Sequence, residues 1–386
     1  MKLDRWLSER PHVLVGLDVY GNRVLRARDE PEGGTPVYIT AHMDHPAFVV
    51  RSVEDSTVHL DFRGGVRDEY FPGAAIEIHC YGEPARAVIE SAGPRDPDRP
   101  VVAILDDPSD AKRDLTQRIA TWALPEPEIE GDTLRTNACD DLAALCAALE
   151  AFDELVREDA EPLPAPVRLL FTRAEEIGFL GAIAACREGT IEPGARVIAL
   201  ENSRSYPQDS PIGGGPILRV GDRLSTFDPA LTSACGRVAE GLAKEDEFFV
   251  WQRKLMPGGA CEATAFGAYG YSATCLCLPL GNYHNMGNLA EVENDPEYAG
   301  DHAAIEREYI SLNDYRGLVR SLVAIGRSDL EPTHTREKME EMFRKREFDL
   351  PPRECGTGLP EDGSIRFSNG WAQRRERSMK RREGGR

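Results

Sequence analysis

Five residues carry most of the chemistry this chain can offer: His42, Asp140, Glu176, Glu201 and His284. Two imidazoles and three carboxylates, with no thiolate, suit zinc, cobalt or manganese. Two such ions about 3.5–4 Å apart need a shared ligand. A carboxylate has two oxygens and can bridge, which makes Asp140 the natural candidate. Glu175 stands immediately before Glu176. If Glu176 binds metal, Glu175 is placed to act as general base on a metal-bound water. Asp44, two residues beyond His42, is expected to orient that imidazole by accepting its other N–H. Taken singly, each residue has an ordinary role, as a helix N-terminal acid or a loop histidine.

The elements that must position these groups argue for more. His42 follows a buried-strand run at 37–41, and Glu176 follows one at 167–172. Glu201 ends the run 197–200, and His284 follows the run 274–280. In open parallel sheets, sites lie outside the carboxyl ends of the strands. Carboxylates are disfavoured beside buried sheet ends unless something compensates them. Asp140 lies in the turn Thr136-Asn137-Ala138-Cys139-Asp140-Asp141-Leu142. The helix after it has apolar residues at Leu142, Leu145, Leu149, Phe152 and Leu155. Asp140 is therefore expected both to cap this helix and to bridge, with Asp141 holding the turn.

Strand and helix patterns alternate from residue 137 onward. Helices are expected to open near Ala174 and Gly258, and to span 231–244 and 310–325. The expected fold is α/β, a three-layer, mostly parallel sheet with helices on both faces. Between 52 and 133 the texture changes to short β-like runs separated by Gly, Pro and Asp turns, as in a small inserted all-β domain. The catalytic domain is then discontinuous, 1–51 with 134–350. Residues 351–386 form a tail, with seven Arg or Lys between Trp371 and Arg386, and disorder is expected there.

Composition narrows the function. The chain has 386 residues, 41% of them hydrophobic, and a formal charge of -20. That charge argues against nucleic acid as the main partner. No run of about 18 apolar residues occurs, so no membrane partner is expected. The first residues lack a secretory core. Nine cysteines without a Cys-x-x-Cys pair indicate buried thiols in a reducing, cytoplasmic setting. No Gly-x-Ser-x-Gly elbow is present. Gly213-Gly214-Gly215 lacks the Gly-Lys-Ser/Thr of a phosphate loop.

In combination these motifs resemble the tetrahedral or glutamyl aminopeptidase family of two-metal peptidases. The matching pieces are Ala41-His42-Met43-Asp44-His45, Asp140-Asp141, Glu175-Glu176-Ile177-Gly178 with Gly181-Ala182, the loop Gly213 to Ile217, and Asn282-Tyr283-His284. The resemblance covers roughly residues 15–330. It implies a β-barrel interrupting the catalytic domain and two zinc ions. His42, Asp140 and Glu201 would hold one, and Asp140, Glu176 and His284 the other. It implies Glu175 as base, Asp44 as support to His42, a short peptide substrate, and a homo-oligomer. Three departures stand out: His45 replaces a Glu, Glu201 replaces an Asp, and Asn285-Met286-Gly287 replaces a Ser-containing sequence. Glu at position 201 resembles carboxypeptidases and deacylases of acylated amino acids, the first alternative. A catalytically degenerate binding scaffold is the second.

Overall fold

The computed structural model describes residues 2–295, 302–331 and 335–346. The chain divides into two compact units, Met1–Thr333 and His334–Arg386. In the first, helix α1 (Lys2–Ser8) precedes strands β1 (Val13–Leu17), β2 (Arg23–Ala27) and β3 (Val37–His42). The strands β4 (Ala47–Glu54), β5 (Thr57–Arg63), β6 (Ala75–Ile78), β7 (Ala85–Ala92), β8 (Arg99–Leu105) and β9 (Ile119–Trp122) follow. Next come β10 (Glu128–Glu130), β11 (Thr133–Thr136), α2 (Leu142–Val156), β12 (Val167–Thr172), α3 (Leu180–Glu188) and β13 (Arg196–Arg204). The remaining main elements are β14 (Ile217–Gly221), α4 (Pro229–Glu245), β15 (Gln252–Leu255), α5 (Glu262–Ala268), β16 (Ser272–Leu280), α6 (Leu289–Asn294) and α7 (Leu312–Gly326). The second unit contributes α8 (Thr335–Arg346), with Met339, Met342 and Phe343 exposed. The tail 351–386, expected to be disordered, lies outside the described residues.

The fold is mixed α/β. One eight-stranded sheet has the order β1-β2-β12-β3-β13-β16-β14-β15. Its centre, β12-β3-β13-β16, is parallel throughout, as is β14 with β15. The contacts β1–β2, β2–β12 and β14–β16 are antiparallel. The sheet is thus mixed, with four parallel and three antiparallel contacts. The N-terminal hairpin adds to one side of the parallel centre, and β14 runs against β16 on the other.

The central strands are buried on both faces, which explains their continuous apolar runs. Successive side chains on a strand point to opposite faces. Ile39, Ala41, Leu169, Phe171, Ile198, Leu200, Leu276 and Leu278 join one apolar cluster with α2, α4 and α7. Tyr38, Leu170, Val197, Ala199, Cys275 and Cys277 join another with α3 and α5. Cys275 and Cys277 are fully buried, packing as small apolar groups.

Strands β4, β5, β8, β7, β6 and β9 close into a barrel. Alternation along β5 and β7 directs one residue set inward. Phe48, Phe62, Phe71 and Trp122 fill the interior, with ring centroids 4.8–6.4 Å apart. Closure leaves this antiparallel unit without a free edge. Among the described residues no helix is long and apolar enough to cross a membrane.

Three helices begin later than their patterns predict. The stretch from Ala174 forms a tight turn, because Ala174, Gly178 and Phe179 take left-handed backbone angles, and α3 starts at Leu180. The Gly258 stretch stays irregular until Glu262. The expected helix from Ile310 begins at Leu312, where the Ser311 hydroxyl accepts from the amides of Asn313 and Asp314. Residues Glu308–Ser311 form a strand against β11 instead.

Candidate metal centre

The parallel centre of the sheet brings all five candidate donors together. His42 is the last residue of β3, Glu176 lies in the turn after β12, and His284 follows β16. Glu201 stands inside β13, which continues to Arg204. Asp140 sits two residues before α2, and the peptide bond joining it to Asp141 is cis. Three Asn residues around His284 (Asn282, Asn285 and Asn288) take positive φ, as His284 itself does at 53°. Asparagine tolerates this region better than most residues, so an Asn-rich stretch suits so tight a loop.

Both histidines present the same nitrogen. His42 Nδ1 donates to the Asp44 carbonyl at 3.0 Å, and His284 Nδ1 donates to the Gly65 carbonyl at 2.7 Å. Each Nε2 is left to face carboxylates. His42 Nε2 lies 3.2 Å from Asp140 Oδ1 and 3.7 Å from Glu201 Oε1. His284 Nε2 lies 3.5 Å from Asp140 Oδ2 and 3.4 Å from Glu176 Oε2. Asp140 therefore turns one oxygen to each histidine.

Two sequence expectations are corrected. Asp44 contacts His42 through its backbone carbonyl, not its carboxylate. The carboxylate instead accepts from the amides of Glu175 and Glu176, at 3.0 and 3.2 Å, and shapes their turn. No carboxylate caps α2. Asp141 occupies the N-cap position without a capping bond, and its Oδ2 accepts from the His42 amide at 3.2 Å. Its own geometry diverts the carboxylate sideways, to β3.

Other residues escaped sequence reasoning. Glu308, fully buried, accepts from the amides of Cys139 (2.7 Å) and Asp140 (3.0 Å) with one oxygen and of His284 (2.9 Å) with the other. Nothing in its local pattern marked it. Glu262 is buried with neither carboxylate oxygen hydrogen-bonded, and burial pushes it up to about 7. Arg219 is 3% exposed and donates to Ser203 Oγ. Tyr283 stacks on His284 at 3.8 Å.

The cluster is rich in negative charge. Burial, reinforced by Glu201 and Glu176, holds the Glu175 carboxyl well above its ordinary value. Burial, with Asp140 adding to it, pushes Glu176 up to about 7 despite His284. Asp140 is the exception: burial opposes its charge, but His284 and His42 hold it well below the usual range. Burial disfavours the His284 cation as well, yet Glu176 and Asp140 push it up to about 10.

The donors fit a metal. His42 Nε2, Asp140 Oδ1 and Glu176 Oε1 are buried without a hydrogen-bond partner, and such orphaned atoms are costly unless a cation satisfies them. Donor atoms of His42, Asp140, Asp141 and Glu201 lie within 4.8 Å of one another, and so do those of Asp140, Glu176 and His284. A cleft of about 240 Å³ opens onto this cluster, walled by Arg67, Arg204, Arg219, Tyr206, Met256 and Glu293.

The turn carrying Glu175 and Glu176 depends on one close approach. A Cβ on Gly181 would lie 2.3 Å from the Arg173 carbonyl oxygen and 2.6 Å from its nitrogen. Both are backbone atoms and cannot step aside. Gly181→Ala is expected to destabilise the protein by about 1–3 kcal/mol, as overpacking does. Urea unfolding at an unchanged midpoint would contradict this.

Comparison with known proteins gives a consistent picture. Residues 21–295 match the family model described as M42 glutamyl aminopeptidase. A putative aminopeptidase from Acetivibrio thermocellus is 23% identical over 173 residues, covering 43% of this chain. The chain matches about half (49%) of that relative's length. The fold is shared with the TET aminopeptidase from Thaumarchaeota archaeon SCGC AB-539-E09, at 16% identity and a TM-score of 0.67 over 84% of this chain and 90% of that one. It is shared also with the TET1 peptidase of Pyrococcus horikoshii, which assembles into a tetrahedron or a large octahedral shell. That likeness has 20% identity and a TM-score of 0.66, covering 84% of this chain and 92% of the other.

Proposed function

This chain belongs to the M42 glutamyl aminopeptidase family, and from that premise we propose that it is a two-metal hydrolase trimming a terminal residue from short peptides. The observation that carries this reading is Asp140, whose two oxygens face two separate histidines. His42, Asp140 and Glu201 would hold one ion, and Asp140, Glu176 and His284 the other. The absence of thiolates favours zinc, with cobalt or manganese as substitutes. Such ions polarise a scissile carbonyl and lower the pKa of water.

The chain's own groups supply the proton transfers. Glu175 takes the proton of the attacking water and returns it to the leaving amine. A carboxyl whose proton affinity is raised by burial and neighbouring acids suits that exchange. Asp44 fixes where Glu175 stands, through its amide. The cleft walls would orient the peptide at the reacting bond.

Three further readings belong to the same proposal. The barrel, whose strands run from Ala47 to Trp122, is a domain inserted into a catalytic domain made of the chain before and after it. The two apolar clusters correspond to helical layers on either face of the sheet. The chain forms a homo-oligomer and works in the cytoplasm, where its buried thiols would stay reduced. The relatives are peptidases and lend no support to acylated amino acids as substrates.

Elemental analysis paired with a substrate panel tests the reading. About two ions per chain are expected, with release of N-terminal residues from aminoacyl anilides and short peptides. Chelation should abolish turnover and lower Tm; metal at 1,000 times its Kd stabilises by about 4 kcal/mol. Full turnover after metal removal, or cleavage confined to N-acyl amino acids, would overturn it.

A further inference from the structure

Two of the three departures from the family pattern, His45 and the Asn285 segment, meet in space. His45 Nε2 stands 3.0 Å from the carboxamide oxygen of Asn285, across 240 residues of sequence. On its other side, His45 Nδ1 donates to the Asp140 carbonyl at 2.6 Å. Asn285 in turn donates from Nδ2 to the Asn137 carbonyl at 2.9 Å. The contacts run in series: Asp140 carbonyl, His45, Asn285, Asn137 carbonyl, and three residues of backbone back to Asp140.

We propose that His45 and Asn285 act as a coupled pair of positioning residues for Asp140, the carboxylate shared between the two ions. This inference rests on the two-metal reading above. Asp140 is pinned at both ends of its backbone, its amide by Glu308 at 3.0 Å and its carbonyl by His45. Fixing both ends fixes the direction in which its side chain leaves the chain. That direction decides whether the two oxygens reach both histidines at once. His45 also reaches the His284 side of the centre: its ring meets the His284 ring edge-on, with centroids 6.2 Å apart and planes at 84°. Asn285 is the residue next to His284 and is fully buried. One pair of touching side chains thus ties together the loops that carry His42, Asp140 and His284.

Hydrogen bonds that orient metal ligands are worth about 10–100-fold in metal affinity. The pair also makes a prediction that separate structural roles do not. Once the contact is broken from one side, breaking it from the other should cost little more.

The test is a zinc titration of the full chain against a chromophoric chelator, with steady-state kinetics alongside. The parent chain is measured first. If it binds no zinc, the two-metal reading fails and this inference falls with it. If it binds zinc, His45→Ala and Asn285→Ala are each expected to weaken binding by about 10–100-fold. The double variant should match the worse single variant within about threefold. kcat should fall while KM stays near its parent value. His45→Asn, whose amide nitrogen can replace Nδ1 opposite the Asp140 carbonyl, should recover most of the affinity. Should an alanine variant fail to fold, His45→Asn and Asn285→Ser carry the comparison, with Asn285→Ser the weaker binder. Parent-like zinc affinity in the folded variants, or losses that simply multiply in the double variant, would overturn the proposal.

Discussion

Replacing Glu175 with glutamine is expected to lower kcat by about a hundred- to ten-thousand-fold, the usual contribution of a general base, and to leave metal content unchanged. Glutamine keeps the shape and hydrogen-bonding oxygen of the side chain but cannot take a proton. The Asp44 carboxylate holds position 175 through the backbone amide, so the turn should survive the change. Stability should not suffer. Burial and neighbouring acids already disfavour the charged form of Glu175, and the amide mimics the neutral one. A Tm at or above the parent value in the metal-free protein, with turnover nearly gone, is the expected pair of results. Parent-like turnover would remove Glu175 as the base.

Asp140→Asn should behave in the opposite way. Asp140 is held well below the usual carboxylate range by a histidine on each side. An amide offers a single oxygen and cannot face both Nε2 atoms as an acceptor. At least one ion should be lost. With it go several kcal/mol of transition-state stabilisation, a fall of about a hundred- to ten-thousand-fold in turnover. The metal-free protein should also lose stability, since each buried histidine loses one of its carboxylate partners. Calorimetry and metal analysis on the two variants separate the roles: one keeps its metal and its Tm, the other keeps neither. Full metal occupancy in Asp140→Asn would remove it as the shared ligand.

Much of this architecture was legible because strand ends are easy to find. A run such as 37–41 stops at a polar residue, and in a parallel sheet that stop has a known address. The barrel showed itself through short β-like runs without helical periodicity. The contacts that hold the site are of another kind. Glu308 reaches Asp140 across 168 residues, and no periodicity encodes such a bond. Its strand is four residues long, and the helical pattern that starts at Ile310 overlaps the last two of them. Asp44 is expected to meet His42 through its carboxylate and meets it through its backbone carbonyl, because spacing says how near two residues are and not which groups meet. The late start of α3 had a local cause in the left-handed angles of Ala174 and Phe179. Neither is a residue whose type announces that conformation. The antiparallel flanks of the sheet depend on how distant segments pair, which no single run of residues reveals.

The hydrogen bond from His284 to Gly65 has one more consequence. Gly65 lies just beyond β5, a barrel strand, and Tyr70 from the same end of the barrel donates to the carbonyl of Gly287 at 2.6 Å. The tautomer of one histidine in the centre is therefore chosen by a part of the chain outside the eight-stranded sheet. Excising the barrel would remove the carbonyl that holds the His284 ring in place.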